Sequence, residues 1–186
     1  MNAQDAFDKL SLLKFDTVLD LGSGEGFHAN EFKANGKTVT TVSFTPPADH
    51  VGDFLTLELP KFDCIWASHV LEHQLNVNLF LRKCFDTLHD DGILAITVPP
   101  LKHNIVGGHV SLWNAGLLLY NLILAGFDCS EASVKTYGYN ISVIVRKKEA
   151  KPEGLIMDNG DIAKINQYMP FEAVCGFDGQ IQEINW

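Results

Sequence analysis

Short apolar runs alternate with longer mixed segments along this chain, and the alternation predicts an α/β fold. Four of the runs have the length and composition of strands in a covered sheet: TVLDL (17–21), KTVTTVSF (37–44), FDCIWAS (62–68) and GILAITVPP (92–100). Helical segments are expected over 26–36, 69–92 and 115–125. The segment 45–54, with Pro46 and Pro47, is too short for a crossover helix and is expected to be a loop.

Two β-rich runs, 127–137 and 140–147, are separated by Gly138-Tyr139, which is hairpin spacing. The order of elements therefore predicts a mainly parallel sheet that ends in an antiparallel pair. Ligands of such sheets bind beyond the carboxyl ends of the strands. This rule gathers five parts of the chain around one cleft: 22–26, 43–47, Asp53, 68–73 and 99–113.

Length and composition suit a single globular domain over residues 1–150. The remaining segment, 151–186, is too short for a second domain and too apolar to be plainly disordered. We therefore expect it to be a C-terminal extension that packs on the core.

Composition also limits the class of partner and compartment. A net charge of -9 argues against nucleic acid as a partner, because such binding depends on clustered Lys and Arg. The four cysteines show no metal-binding spacing and are expected to be reduced, as in a cytoplasmic protein. No secretory signal is expected, and the most apolar stretch, 115–126, is about half the roughly 20 residues that span a bilayer. Oligomeric state is left open.

A glycine-rich turn, VLDLGSGEG (18–26), follows the first predicted strand. Glycines at 22, 24 and 26 allow the backbone to approach a ligand closely, since they lack a Cβ and accept positive φ. The dinucleotide fingerprint GxGxxG differs, because here the third glycine comes one residue early. Asp20 would repel a pyrophosphate but suits a cationic amino group, so the turn favours a ligand that carries an ammonium.

VLDLGSGEG resembles the first motif of class I S-adenosylmethionine-dependent methyltransferases, and further segments resemble later motifs in the right order. These are GDF (52–54), FDCIWASHVLEH (62–73), DDGILAITVPP (90–100) and GGHVSLWNAGLLLYNLILAGFD (107–128). The likeness covers about 15–147 and is to small-molecule members of methyltransferase types 11 and 12. It implies a Rossmann-like, mainly parallel seven-stranded sheet with an antiparallel final strand, helices on both faces, and S-adenosyl-L-methionine as cofactor.

The resemblance also implies which residues contact the cofactor. The glycines would lie against its methionine part, Asp20 would place its amino group, and Asp53 and Phe54 would face adenine. The full predicted set is Asp20, Gly22, Ser23, Gly24, Gly26, Ser43, Phe44, Asp53, Phe54, Ser68 and His69. The family usually ends its second strand with an acid for the ribose hydroxyls, whereas TVTTVSFTPP offers Ser43. Asp53 is alternatively a helix or turn cap.

His69, His73 and His109 are the candidate catalytic bases, because imidazole exchanges protons near neutral pH. If 69–73 is helical, Glu72 shares one face with His69 and His73, and such a cluster can serve acid/base chemistry or hold a metal. It resembles the SEVVEH segment of quinone-pathway O-methyltransferases, with His69 in place of a Glu. In the other interpretation, His69 lies behind the cofactor as part of its site, and His73 is a hydrogen-bonded helix residue. No metal site is predicted.

The predicted function is methyl transfer from S-adenosyl-L-methionine to a hydroxyl or amine of a small molecule. A saccharide is suggested by the likeness of 107–128 to small-molecule enzymes. The alternative is a methyltransferase-like protein that binds a ligand or partner without catalysis, which the absent acid after the second strand favours. An NAD-dependent reductase is disfavoured by Asp20 and by the glycine spacing.

Overall fold

The computed structural model describes residues 3–186, and within them eight strands form one sheet. The strands are β1 (Thr17–Leu21), β2 (Thr38–Ser43), β3 (His50–Val51), β4 (Phe62–Ser68), β5 (Leu88–Val98), β6 (Ser133–Tyr137), β7 (Asn140–Arg146) and β8 (Glu183–Ile184). The α-helices are α1 (Gln4–Ser11), α2 (Phe27–Ala34), α3 (Val77–Thr87), α4 (Ala115–Leu124) and α5 (Asp161–Ile165). Short 3-10 turns cover Phe54–Thr56, Leu71–His73 and Asn166–Tyr168.

The strand order is β3-β2-β1-β4-β5-β7-β6-β8. Pairing is parallel from β3 through β5, while β7 is antiparallel to both of its neighbours and β8 is antiparallel to β6. The predicted fold class, a mainly parallel Rossmann-like sheet, is confirmed. The sheet has eight strands, whereas the resemblance implies seven; six runs were predicted individually, and the short edge strands β3 and β8 are the other two.

Apolar side chains cover both faces of the sheet. On one face, α3 packs on β5 and α4 on β6 and β7, in a core that also contains Leu19 and Leu21 of β1. On the other face, α1 and α2 pack over Val18 and Trp66. Successive side chains of a strand point to opposite faces, so β1 contributes to both cores. Within residues 3–186, every helix is too short or too polar to cross a membrane.

The helix predicted over 69–92 is wrong at both ends. His69 has a positive φ of 58°, a 3-10 turn follows at Leu71–His73, and α3 begins only at Val77. The helix ends at Thr87, and β5 starts at once with Leu88. His69 donates its backbone N–H to the Thr97 carbonyl of β5 at 2.9 Å, a tertiary contact that holds it out of the helix. Similarly, only 133–137 of the run 127–137 is strand.

The segment 151–186 contacts the sheet and α4. Its strand β8 pairs with β6, and Trp186 packs against the core beneath α1. Near the start of α4, the Gly116 N–H donates to the Gly179 carbonyl at 3.1 Å. A Cβ at Gly116 would come within 2.6 Å of the Phe177 ring, so the glycine permits this close approach.

Candidate active site

The glycine-rich turn joins β1 to α2 in a left-handed conformation. Gly22, Gly24 and Gly26 have φ values of 69°, 51° and 79°, which residues other than glycine rarely adopt. The N–H of Gly22 donates to the Val42 carbonyl at the end of β2, at 2.8 Å. A Cβ at Gly22 would lie 2.4 Å from the Val70 side chain, whereas a Cβ at Gly24 would meet no protein atom within 4 Å. A side chain at Gly22 would therefore overlap Val70, whereas one at Gly24 would enter open space.

Asp20 lies at the end of β1, next to this turn, and is 2% exposed. Burial raises the pKa of Asp20 to about 7, although the backbone N–H of Ala29 partly opposes the shift. Among the described residues, its Oδ2 atom has no hydrogen-bond partner. A buried carboxyl with an unsatisfied oxygen gains from a cationic partner.

A cavity of about 180 Å³ opens at the carboxyl ends of β1, β2 and β4. Of the residues predicted for the cofactor, it is lined by Gly22, Ser43, Phe44, Asp53, Phe54 and His69. Val70 and Phe80 contribute apolar wall, and Gln74 and the candidate base His73 also line the cavity. The other predicted residues lie outside the lining, on the turn and at strand ends: Asp20, Ser23, Gly24, Gly26 and Ser68.

The end of β2 carries a hydroxyl, whereas the methyltransferases that the sequence resembles usually carry an acid there. The Ser43 Oγ lines the cavity and accepts a hydrogen bond from the Thr45 N–H at 3.3 Å. The next acid, Asp49, accepts from the N–H of Thr41 at 2.9 Å and from its hydroxyl at 2.8 Å. These bonds lower the pKa of Asp49 and occupy it as a structural group.

Asp53 caps a turn and lines the cavity. Its Oδ1 accepts from the Leu55 N–H at 2.9 Å and so caps the 3-10 turn Phe54–Thr56. The residue also lines the cavity, beside the buried Phe54 ring. Capping therefore fixes the carboxylate at the cavity wall.

Three histidines gather around Glu72, whose side chain is fully buried. Its Oε1 lies 3.3 Å from Nδ1 of His69 and 3.9 Å from Nε2 of His73. The rings of His73 and His109 meet edge to face, with centroids 4.9 Å apart. Neither oxygen of Glu72 has a hydrogen bond of good geometry to any residue in the range 3–186.

The outer nitrogens of two of these histidines have fixed partners. Nε2 of His69 lies 3.0 Å from the Asn140 side-chain oxygen, and Nδ1 of His73 lies 2.9 Å from the Gly108 carbonyl. Burial alone would lower the pKa of His69, but its contacts with Glu72 and Asn140 outweigh burial and raise that pKa. Both rings are thus oriented from outside the cluster.

The loop after β5 closes this cluster. The Val110 N–H donates to the Glu72 carbonyl at 2.8 Å, which ties the loop to the turn at Leu71–His73. Gly108 has a φ of 81°, and a Cβ there would lie 3.1 Å from Nδ1 of His73. Trp113 is 2% exposed and belongs to the core, so it does not line the cleft.

A second cavity of about 220 Å³ lies between this loop and the β6–β7 hairpin. It is lined by Lys102, Asn104, His109, Ser111 and Tyr139, among others. The Tyr139 ring stacks on His69 at 6.2 Å between centroids. His69 and His73 face the first cavity and His109 faces the second, so the cluster separates the two spaces.

Sequence reasoning missed two residues of this arrangement. Glu72 was predicted with His69 and His73 as a possible acid/base or metal cluster on a helical face, and it lies at the centre of the cluster although the segment is not an α-helix. Asn140 and Tyr139 lie on the hairpin between β6 and β7 and carry no local signal. They could be found only from the strand order, which places β7 beside β5.

The fold and the cleft define a protein of the Rossmann-like class, in which the ligand site lies at the carboxyl edge of a mainly parallel sheet. A sequence model of the methyltransferase domain family matches residues 2–121. The chain belongs to this family, and the predicted membership, enzyme class and cofactor type are confirmed. No curated protein matches the sequence significantly.

Solved structures with the same fold include enzymes from three domains of life. The Burkholderia thailandensis 1,6-didemethyltoxoflavin-N1-methyltransferase, with its substrate and S-adenosylhomocysteine bound, has a TM-score of 0.67 at 18% identity over 80% of this chain and 78% of its own. A methyltransferase from Archaeoglobus fulgidus has a TM-score of 0.66 at 14% identity over 78% and 91%. Human N-acetylserotonin methyltransferase, with S-adenosylmethionine, has a TM-score of 0.61 at 22% identity over 77% and only 50%. At these identities the likeness shows the fold.

Proposed function

We propose that this protein transfers a methyl group from S-adenosylmethionine to a hydroxyl or amine of a small molecule. The observation that carries the proposal is the glycine turn with Asp20 at its base, beside a cavity at the carboxyl ends of β1, β2 and β4. The cofactor has a cationic amino group, and Asp20 offers a buried carboxyl oxygen without a partner among residues 3–186. The ligand and the site therefore complement each other in charge.

The proposed cofactor residues divide by the part of the molecule they would contact. The open face of Gly24, together with Ser23 and Gly26, would take the methionine part. Phe44, Asp53 and Phe54 would enclose adenine, and Ser43 would offer a hydroxyl to the ribose. Ser68 and His69 would lie at the reactive end, beside the carboxyl end of β4.

The acceptor would enter through the second cavity, on the other side of the histidines. Lys102, Asn104 and Ser111 supply polar groups there, which supports a polar small molecule such as a saccharide. The toxoflavin enzyme binds a small nitrogen heterocycle, which supports a small acceptor in this fold. Methyl transfer requires mainly in-line positioning, and His109 or His73 would accept the proton of a hydroxyl acceptor.

A cytoplasmic site of action forms part of the proposal. Three of the four cysteines are buried, and all four are free. Reduced cysteines are usual in the cytosol. The acidic balance of the chain supports a small-molecule acceptor over a nucleic acid.

Calorimetric titration with S-adenosylhomocysteine tests the cofactor site. Gly24→Ala adds a methyl group where no protein atom lies within 4 Å, so a loss of affinity of roughly tenfold or more would come from the ligand. Gly36→Ala is the matched control, because Gly36 also has a positive φ and open space around its Cβ. Equal affinity in both variants would contradict the proposed placement. If the wild-type protein itself binds no S-adenosylhomocysteine, a non-catalytic binding role replaces methyl transfer.

A further inference from the structure

Glu72 is a carboxylate in an unusual position. Its side chain is fully buried, and neither oxygen has a well-formed hydrogen bond to another described residue. A buried charge is costly unless it is paired, hydrogen-bonded or bound to a metal. The groups that approach it are imidazole nitrogens, which are themselves metal ligands.

The hydrogen bonds of His73 determine which nitrogen faces Glu72 without a proton. The Gly108 carbonyl can only accept, so Nδ1 of His73 carries the hydrogen of this 2.9 Å bond. In the neutral ring, Nε2 then presents a lone pair toward Oε1 of Glu72, at 3.9 Å. That separation is too long for a hydrogen bond. It is close to the span of two metal bonds of about 2.0–2.2 Å each.

His109 completes the set. One ligand atom each from Glu72, His73 and His109 lies within 4.8 Å of the other two. Ligand atoms of a tetrahedral divalent ion with bonds of about 2.1 Å are about 3.4 Å apart, so the widest pair needs to close by up to roughly 1.4 Å. His73 and His109 are partly exposed and sit at a turn and a loop, where such a shift is feasible.

Further contacts resemble the outer shell of a metal centre. Histidine ligands usually donate their second N–H to a carbonyl or carboxylate, as His73 does to Gly108. Ligating carboxylates are usually held by a second group, and His69 approaches Oε1 of Glu72 at 3.3 Å. The turn at Leu71–His73 and the loop that carries His109 are joined by the hydrogen bond from the Val110 N–H to the Glu72 carbonyl.

We propose that Glu72, His73 and His109 bind a divalent first-row transition-metal ion between the two cavities. A carboxylate with two imidazoles suits zinc, cobalt, manganese or iron, whereas calcium and magnesium prefer oxygen ligands alone. Because three protein ligands leave positions open, the ion can also bind an acceptor oxygen and lower the pKa of its hydroxyl. This last role rests on the proposed function, and with the ion bound it takes the place of proton acceptance by His73 or His109, whose lone pairs the ion occupies. Metal binding itself does not rest on the proposed function.

The test is titration of chelator-treated protein with Co²⁺, followed by visible absorption, and with Zn²⁺, followed by calorimetry. Both are done without cofactor or acceptor. We expect one equivalent of metal to bind, and Glu72→Gln or His73→Ala to weaken binding more than tenfold. Gly108→Ala should weaken it roughly 10- to 100-fold, because the new Cβ would lie 3.1 Å from Nδ1 of His73 and crowd the ring that the Gly108 carbonyl orients. His89→Ala, on an exposed residue at the opposite edge of the sheet, is the control and should bind as the wild type does.

Two results would overturn the proposal: no saturable binding of either metal, or wild-type affinity in His73→Ala. In that event the histidines are the only partners of the Glu72 carboxyl group among residues 3–186. Glu72→Gln keeps the shape of the side chain, and circular dichroism checks that this variant folds. If Glu72→Gln fails to fold, His73→Ala decides alone, because the His73 side chain is 42% exposed and its removal disturbs the core less. S-adenosylhomocysteine titrated into the same samples reports separately on the proposed function.

Discussion

Replacing Asp20 with Asn should change how the stability of the protein depends on pH. The carboxyl is 2% exposed, and burial raises its pKa to about 7, against a backbone hydrogen bond from Ala29 that opposes the shift. Asn has nearly the same shape but does not titrate. The comparison therefore isolates the free energy linked to one proton.

The size of the effect follows from the two pKa values. In the unfolded chain Asp20 ionises near 3.8, and in the folded protein near 7. Between these pH values the folded state retains a proton that the unfolded state has lost, so its stability falls as pH rises. The slope is about 1.4 kcal/mol per pH unit, and the total loss is about 4 kcal/mol. Stability linked to Asp20 is complete below the unfolded pKa and is lost above the folded one.

Urea denaturation of the ligand-free protein measures this difference. From about pH 5 to about pH 8, the free energy of unfolding of the wild type should fall by about 3 kcal/mol more than that of Asp20→Asn. Other titrating groups act equally in both proteins and cancel in the comparison. If the two curves run parallel over this range, Asp20 ionises at its ordinary pKa and the argument from burial is refuted.

The same carboxyl links stability to the proposed ligand. A cationic amino group beside Asp20 would favour the ionised form, so affinity for S-adenosylhomocysteine should rise between about pH 6 and pH 8. In Asp20→Asn the affinity should be weaker and should lose this pH dependence. The site would then be an example of a buried charge that costs stability in the free protein and serves binding.

Three further changes test other parts of the structure. Ser43→Asp should bind S-adenosylhomocysteine several-fold more tightly than Ser43→Asn in calorimetry, because a charge-assisted bond to ribose is about twice as strong as a neutral one; equal affinities would mean that the ribose lies elsewhere. Gly116→Ala should lose about 1–3 kcal/mol in urea denaturation and expose 151–186 to proteolysis, since its Cβ overlaps Phe177; unchanged proteolysis would exclude tight docking there. Leu119→Ala, at a fully buried position of α4, should lose about 2–5 kcal/mol by the same assay, and a loss below that range would mean that the site collapses around the smaller side chain.

The sheet was predictable because its signals are local. The run 17–21 ends at glycines, and the hairpin at Gly138-Tyr139 separates two β-rich runs, so each strand could be read from its neighbours. The strands β3 and β8 were missed, since two residues carry no periodicity. The helix over 69–92 was misjudged because its apolar positions continue across two breaks. The first break depends on the bond from His69 to Thr97, and the second on the pairing of Leu88 with Phe62, both made by distant parts of the chain.

The two halves of the candidate site also differ in how far local sequence predicts them. The cofactor half depends on the backbone conformation of 22–26, and glycine spacing reports such conformations directly. The histidine half depends on where the loop after β5 folds back, and this is decided by single bonds such as the one from Val110 to the Glu72 carbonyl. Sequence spacing proposed a shared helical face for His69, Glu72 and His73. The structure instead places His69 in a left-handed conformation and still brings all three together, because the following 3-10 turn returns Glu72 toward it. Helical periodicity therefore does not explain why these three residues form a cluster. His109 was predicted as a candidate base of the same cleft, but its contact with His73 depends on the fold of the loop after β5.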